Sequence, residues 1–293
     1  EISLGLVGSE MCIRDSYNKD VFDAAGIAYP SNDMTMEDYD ALARQLTDTT
    51  YGSQVYGCHY HTWRSAVELF GILDGKHSIL DGNYDWMIPY YDMILSEEDD
   101  GVCQTYTDLS TEGLHYSAAF SNGNVAMMNM GSWFISTLIS NLDSGEYDSS
   151  LCGNWGIASY PHPDGAEAGS TIATITGLAV TSASANKDAA FDFVNWVSGT
   201  EGAKVMASTG NFPAIMTDDV INTIAGMAGF PTDESSKEAL NITNAYLEVP
   251  YAENVSEINS ILDTYHTSIM NREVTVEEGV ASMNEQVGKI LNQ

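Results

Sequence analysis

The sequence of 293 residues is poor in positive charge. It contains 10 Lys and Arg against 42 Asp and Glu, which gives a formal net charge of −32 with neutral histidines. Proteins that bind nucleic acids need clustered cations to contact the phosphates, so ten cations spread over this length argue against that function. The chain also lacks any apolar run near the roughly 20 residues that a membrane-spanning helix needs.

Cysteine is scarce as well, with four residues, Cys12, Cys58, Cys103 and Cys152. None belongs to a CxxC or CxxH pair, so a zinc site with four closely spaced ligands is not expected. Cys12 lies in a segment that we regard as non-native. The other three cysteines are an odd number, which leaves two alternatives open. Either one disulfide forms beside a free thiol, or the three thiols are separate and buried. No cofactor or metal is predicted.

The chain has the composition of a folded protein. Hydrophobic residues make up 44%, aromatic residues 10% and charged residues only 18%, which is too apolar for a disordered acidic polymer. The length allows one large domain or two lobes. An acidic surface with 16 Tyr and 5 Trp suits a soluble protein that binds a neutral or cationic partner.

The first sixteen residues resemble translated sequencing adapter rather than native protein. Met11 to Asp15 can be encoded by a transposon-end adapter, and Leu6 to Glu10 by the adapter bases that precede it. We therefore treat residues 1–16 as an artefact, as one would an expression tag, and regard Cys12 as non-native. The alternative is that this segment contributes a native strand.

The rest of the chain alternates between strand and helix patterns, which predicts an α/β fold. The acidic run Glu97–Asp100 is predicted as solvated surface. Strands are predicted at 51–58, 125–130, 155–160 and 172–181. Helices are predicted at 35–47, 63–73, 108–120, 134–142, 189–197, 200–208, 220–225, 237–246, 255–270 and 276–291.

Five blocks in order resemble family 1 extracellular solute-binding proteins of ABC importers, the group that includes maltose-binding protein. The most specific block runs from Phe120 through Gly123, Ala126 and Met127 to Gly131-Ser132-Trp133, and is similar to the family's aromatic, turn glycine, Ala-Met and Gly-x-Trp pattern. The other blocks are Tyr17–Ile27, Trp155–Pro161, Thr176–Val197 and Thr275–Gly279.

The resemblance implies a two-lobe periplasmic-binding-protein fold whose lobes close on a ligand. Residues 17–172 and 226–293 are then expected to form a complete second lobe. Residues 173–225 are expected to return to a first lobe that is mostly missing here and lies upstream. A secretion signal and a lipid anchor are expected upstream as well, which places the protein on the extracellular side of the cytoplasmic membrane or in the periplasm.

The function implied by the resemblance is binding of a mono- or oligosaccharide in the cleft between the lobes, as a monomer that passes its ligand to ABC importer permease subunits. Two alternatives are a glycoside hydrolase and a surface carbohydrate-binding adhesin. The chain has no HExxH, GxSxG or P-loop motif, and its helices argue against the β-sandwich of most carbohydrate-binding modules. We therefore predict no enzymatic activity.

Sugars stack on aromatic rings and hydrogen-bond to polar side chains, so the site is expected where aromatic residues follow strand ends. The identity of the sugar is left open because selectivity depends on contacts from both lobes. The candidate ligand-binding residues lie in three segments: Tyr60, His61 and Trp63; Gly131, Ser132 and Trp133; Tyr251 and Glu253.

Overall fold

The structure is a computed structural model that describes residues 3–5, 13–48, 54–174 and 177–292. The strands are β1 Ser3–Gly5, β2 Ile13–Asn18, β3 Tyr56–His59, β4 Val125–Gly131, β5 Trp155–Ser159, β6 Thr171–Ala173, β7 Leu178–Val180 and β8 Ala245–Leu247. The helices are α1 Lys19–Ala25, α2 Met36–Asp48, α3 Ser65–Ile72, α4 Ile88–Asp99, α5 Tyr106–Glu112, α6 Tyr116–Ser121, α7 Trp133–Ser144, α8 Ser149–Cys152, α9 Lys187–Val197, α10 Thr200–Ala207, α11 Asp218–Ala225, α12 Glu234–Glu238, α13 Val255–Met270 and α14 Val276–Leu291, with a 3-10 turn at Asp85–Met87.

A mixed four-stranded sheet in the order β3-β4-β2-β5 forms the centre of the fold. β3 and β4 run parallel, whereas β2 is antiparallel to both of its neighbours. Because β3 and β4 are parallel, their carboxyl ends at His59 and Gly131 lie at the same edge of the sheet. The predicted α/β class is confirmed, and this edge positions the candidate site.

Both faces of the sheet are covered by helices, which gives two hydrophobic cores. Successive side chains of a strand point to opposite faces, so Met127 packs into the first core and Met128 into the second. The first core includes buried residues of α2, α3, α4, α13 and α14. The second includes buried residues of α6, α7, α10 and α11.

The segment assigned to the artefact contributes to β2. Arg14, Asp15 and Ser16 are buried between β4 and β5. Pairing between strands uses backbone groups, so it does not depend on the identity of these side chains. The carboxylate of Asp15 has no hydrogen-bond partner among the described residues, and burial raises its pKa well above the usual range. The artefactual origin of residues 1–16 remains a prediction, and Cys12 lies outside the described residues.

The segment 173–225 does not form one structural unit. Its first part, β7 and α9, forms a small cluster around Val180 and Val194, and leaves Phe193 and Trp196 exposed by 58% and 49%. Its second part, α10 and α11, packs into the second core through residues such as Ala207. The packing therefore divides the predicted return segment near residue 199, while the assignment of lobes remains a prediction.

The expectation that Glu97–Asp100 is solvated surface is wrong for its first two residues. Glu97 and Glu98 lie near the end of α4, and their side chains are buried. Glu98 accepts a hydrogen bond from the Tyr106 amide at 2.9 Å and pairs with Arg272 at 3.3 Å. Burial raises the pKa of Glu97 to about 8. Protein groups, among them the sequence-distant Arg272, therefore cover this end of α4 in place of solvent.

Replacing Glu97 with glutamine is expected to stabilise the protein increasingly as the pH rises. The carboxyl ionises near its usual pKa of 4.5 when unfolded and near 8 when folded. The folded state therefore holds the extra proton between these values, and the free energy of unfolding falls by up to about 1.4 kcal/mol per pH unit as the pH rises through that window. A glutamine side chain does not titrate, so the substitution removes this loss.

Thermal melts at pH 5, 6.5 and 8 test the expectation. The melting temperature of Glu97→Gln relative to the unsubstituted protein should rise from pH 5 to pH 8. Glu146→Gln, at an exposed position, serves as the matched control and should show no such trend. A difference for Glu97→Gln that does not vary with pH would contradict the assignment of a raised pKa.

Candidate ligand-binding site

A cavity of about 630 Å³ opens at the sheet edge where β3 and β4 end. Three parts of the chain form most of it: the loop from β3 into α3, the end of β4 with the first residue of α7, and one face of α13. The volume is in the range of small-molecule sites. The residues that line it include Tyr60, His61, Trp63, Arg64, Glu68, Asn129, Gly131, Trp133, Glu248, Asn259, Asp263 and His266.

Two tryptophans and their neighbours form an aromatic wall of this cavity. The rings of Trp63 and Trp133 lie 6.3 Å apart between centroids, and the ring of His61 lies edge-on to Trp63 at 4.6 Å. Trp133 Nε1 donates a hydrogen bond to the Tyr116 hydroxyl at 2.8 Å, which fixes the orientation of the indole. Trp63 is 44% exposed and Trp133 is half-buried. Both rings therefore present apolar surface to a ligand.

The glycine before Trp133 allows the ring to take its position. A Cβ added at Gly131 would lie 1.7 Å from Trp133 Cζ3, so a side chain at residue 131 would displace the ring. Ser132 is buried and does not line the cavity. Of the predicted Gly-x-Trp segment, Gly131 and Trp133 thus lie at the cavity, and Ser132 serves the turn into α7, where its carbonyl accepts from the Ile135 amide at 3.2 Å.

A charged network also lines the cavity. The guanidinium of Arg64 donates to Asp263 at 2.8 Å, to Asn259 at 2.5 Å, and to the buried carboxylate of Glu68. Glu68 follows Arg64 by one helical turn, whereas Asn259 and Asp263 lie on α13. The network therefore joins the start of α3 to α13 at the cavity, and it holds the donors of Arg64 in fixed directions.

Several polar atoms at the cavity have no hydrogen-bond partner among the described residues. They include the amide oxygen and nitrogen of Asn129, Oε1 of Glu68 and Nδ1 of His61. Buried polar atoms are costly when unpaired. An amide, a carboxylate oxygen and an imidazole nitrogen together offer donors and acceptors that match hydroxyl groups.

The histidines at the cavity are uncharged at neutral pH. Burial lowers the pKa of His61 to about 4, with a smaller contribution from the nearby His115. Burial also lowers the pKa of His266 to about 3, and Arg64 acts in the same direction. These imidazoles therefore contribute hydrogen bonds rather than positive charge.

Tyr60 borders the cavity, but its ring packs into the first core. It is 6% exposed and lies against Phe70 and Tyr39 at centroid distances of 6.3 and 6.4 Å. Residues alternate in direction along the segment after β3, so Tyr60 points inward while His61 points toward the aromatic wall. The expectation that Tyr60 faces a ligand with its ring is not supported by this placement.

The structure does not bring Tyr251 or Glu253 to the cavity. Tyr251 is 96% exposed, and neither residue lines the cavity. Glu248 and its neighbour Val249 line the cavity instead. Glu248 is the residue after β8, and it lies at the cavity because β8 pairs with β6. The sequence pattern did not indicate this, because it predicted a helix over residues 237–246.

Other cavity residues were also missed by sequence reasoning. Arg64, Glu68, Asn259 and Asp263 show their common role only when α3 and α13 pack together. Asn129 carried a weak local signal, since it interrupts the apolar strand Val125–Met130 just before Gly131. A polar residue inside an apolar strand marks a position that needs a partner.

Comparison with known proteins gives one family. Residues 16–204 match the bacterial extracellular solute-binding proteins. The chain belongs to this family. The family that the resemblance predicted is thereby confirmed. Its members are binding proteins rather than enzymes, and they act outside the cytoplasm. No curated protein matches the chain.

Solved structures similar to this solute-binding protein share its fold. A sugar transporter from Rhizobium etli in an open conformation is 46% identical with a TM-score of 0.90, and the match covers 97% of this chain and 72% of the other. An ABC substrate-binding protein from Listeria monocytogenes in complex with cycloalternan is 22% identical with a TM-score of 0.79, covering 99% and 72%. A solute-binding protein from Thermotoga lettingae bound with α-D-tagatose is 19% identical with a TM-score of 0.71, covering 98% and 72%. The expected two-lobe fold class is thereby confirmed. No helix among the described residues is long and apolar enough to span a membrane.

Proposed function

We propose that this solute-binding protein captures a neutral mono- or oligosaccharide in the cavity at the ends of β3 and β4, and passes it to the permease subunits of an ABC importer. The observation that carries the proposal is the wall formed by Trp63 and Trp133, which faces fixed polar groups. Sugar rings present apolar C–H faces and outward hydroxyls, so they fit a site with both surfaces.

The known ligands of similar structures support a sugar. The similar structure with 46% identity is a sugar transporter, and two more distant structures hold cycloalternan and α-D-tagatose. These compounds are uncharged carbohydrates. They share hydroxyl groups as the main recognition feature, which agrees with the unpaired atoms of Asn129, Glu68 and His61.

The charges at the cavity favour a neutral ligand over an anionic one. Glu68, Asp263 and Glu248 line it, whereas Arg64 is the one cation among the described lining residues. Arg64 already pairs with Glu68 and Asp263. A uronic acid would therefore bring a carboxylate toward carboxylates without an available counter-charge.

Several further features of the proposal follow the family. The protein acts as a monomer, is held at the extracellular face by a lipid anchor upstream of residue 17, and uses residues 17–172 with 226–293 as its second lobe. Residues from another lobe complete the cleft and determine which sugar binds.

A panel of neutral oligosaccharides and matched uronic-acid oligosaccharides tests the proposal by thermal shift and calorimetry. We expect stabilisation by at least one neutral sugar and a weaker or absent response to its acidic counterpart. Stabilisation by acidic sugars alone would contradict the neutral-ligand proposal, and no response to any sugar would contradict sugar binding. Chromatography of the incubated sugars is expected to show no cleavage products, whereas their release would favour the glycoside hydrolase alternative.

A further inference from the structure

Two buried cysteines face each other beside the edge strand of the central sheet. Cys58 lies in β3, and Cys103 follows α4 in a segment that runs along β3. Val102 joins this segment to the strand, since its carbonyl accepts from the Gly57 amide at 2.9 Å and from the Cys58 amide at 3.5 Å. The backbone at Cys103 is therefore tied to the backbone at Cys58.

The side chains of these residues are in contact. Cys58 and Cys103 are 0% and 2% exposed, and each thiol shifts the pKa of the other. Both sulfur atoms and a carboxylate oxygen of Glu97 lie within 4.8 Å of one another. Proximity of the two sulfur atoms is the first geometric requirement of a disulfide.

We propose that Cys58 and Cys103 form a disulfide during maturation of the protein outside the cytoplasm. The inference uses the family's extracellular location, where disulfides persist, and does not depend on the identity of the ligand. The two thiols lose two protons and two electrons, and one S–S bond forms. A small disulfide such as oxidised glutathione accepts these electrons and protons: its own S–S bond breaks, and two glutathione thiols are released.

Cys58, Cys103 and Glu97 together resemble a partial metal site. Their number and protonation nevertheless favour a disulfide over a bound metal ion. Structural zinc sites use four ligands, and the cluster among the described residues offers three. Metal binding also requires thiolates. Burial raises the pKa of the Cys58 thiol, and Cys103 and Glu97 add to this effect. At Cys103 the hydrogen bond with Cys58 lowers the pKa, but burial and Glu97 outweigh it.

These properties also determine when the bond forms. The thiolate is the form that exchanges with disulfides, and both thiols are protonated and inaccessible once the sheet has closed. The bond therefore forms while the chain is still partly open, and it resists reductants afterwards. In the folded protein it links the end of α4 to the strand that leads into the loop with His61 and Trp63.

Oxidative refolding with a glutathione redox buffer tests the proposal on the full chain. Alkylation of the unreduced protein in denaturant should label two of the four cysteines, Cys12 and Cys152, and peptide mapping by mass spectrometry should recover a 58–103 linked peptide. Reduction in denaturant followed by refolding under reducing conditions should lower the melting temperature by roughly 5 to 15 °C, because the bond closes a long loop.

Cysteine-to-alanine variants show which cysteines are responsible for the effect of reduction. The loss of melting temperature on reduction should disappear in Cys58→Ala and in Cys103→Ala, and should persist in Cys152→Ala, the control at the third buried thiol. Four labelled cysteines without a linked peptide would overturn the proposal. About one equivalent of bound zinc, lost when Cys58 and Cys103 are alkylated, would overturn it in favour of a metal site. A sugar-binding result of either sign leaves these readouts unchanged, so the two proposals can fail separately.

Discussion

Replacing Trp133 with alanine is expected to weaken oligosaccharide binding by roughly 1 to 3 kcal/mol, or about 5- to 150-fold, in keeping with an aromatic anchor at a binding site. The ring forms part of the cavity wall and is half-buried. A ring that supported the core would behave differently, because its truncation costs about 3 to 5 kcal/mol of stability. Calorimetry and thermal melts on the same samples separate the two roles.

Trp196→Ala provides the matched control for this experiment. Trp196 is 49% exposed on α9 and does not line the cavity, so its removal should leave affinity unchanged. A large loss of melting temperature in Trp133→Ala with unchanged affinity would remove Trp133 from the site.

Replacing Arg64 with methionine is expected to have the largest effect on stability. Methionine fills much of the same space but leaves the carboxylate of Glu68, which is 1% exposed, buried without its partner. An uncompensated buried charge of this kind costs about 3 to 5 kcal/mol, which corresponds to a loss of roughly 6 to 15 °C in melting temperature for a protein of this size. Thermal and denaturant melts measure it.

Two further variants identify the cause. The double variant Arg64→Met/Glu68→Gln should recover part of the loss, since it removes the charge that was left unpaired. Arg44→Met is the control, because Arg44 pairs with Asp40 and Asp100 at the surface and exposed ion pairs contribute less than about 1 kcal/mol. Equal losses for Arg64→Met and Arg44→Met would contradict a special role for the buried pair.

Periodic segments with clear start signals were predictable from the sequence. The ranges 255–270 and 276–291 match α13 and α14 as they stand. The second begins with a capping box in which Thr275 and Glu278 bond to each other's backbone amides. In such helices the local pattern and the tertiary packing favour the same structure, which explains the agreement.

Predictions failed where a distant partner decided the structure. Glu98 follows a pattern typical of solvent exposure, yet it is buried where Arg272, 174 positions away, meets this end of α4. The predicted helix over 237–246 instead ends at Glu238, and Ala245–Leu247 pairs with β6, more than 70 positions away. Neither partner is visible in a local window.

The candidate site also contains residues with a local sequence signal and residues that only distant contacts bring together. Trp63 and Trp133 were predicted because each follows a strand pattern within a few residues. The charged network was not, because Arg64 and Asp263 are 199 positions apart. Tyr251 was predicted from its place just before α13, whereas pairing of β8 with β6 leaves Glu248 lining the cavity.

The bonds from Arg64 to α13 have a consequence for how the binding site is assembled. Arg64 lies in the first quarter of the chain, and the α13 groups that bond to it, Asp263 and Asn259, follow almost 200 residues later. Contacts of such long sequence separation form slowly, because a large loop must close before they stabilise the chain. The binding site is therefore a late product of folding. A nascent chain that emerges from the export channel can order its sheet and still lack a working cleft until α13 has docked.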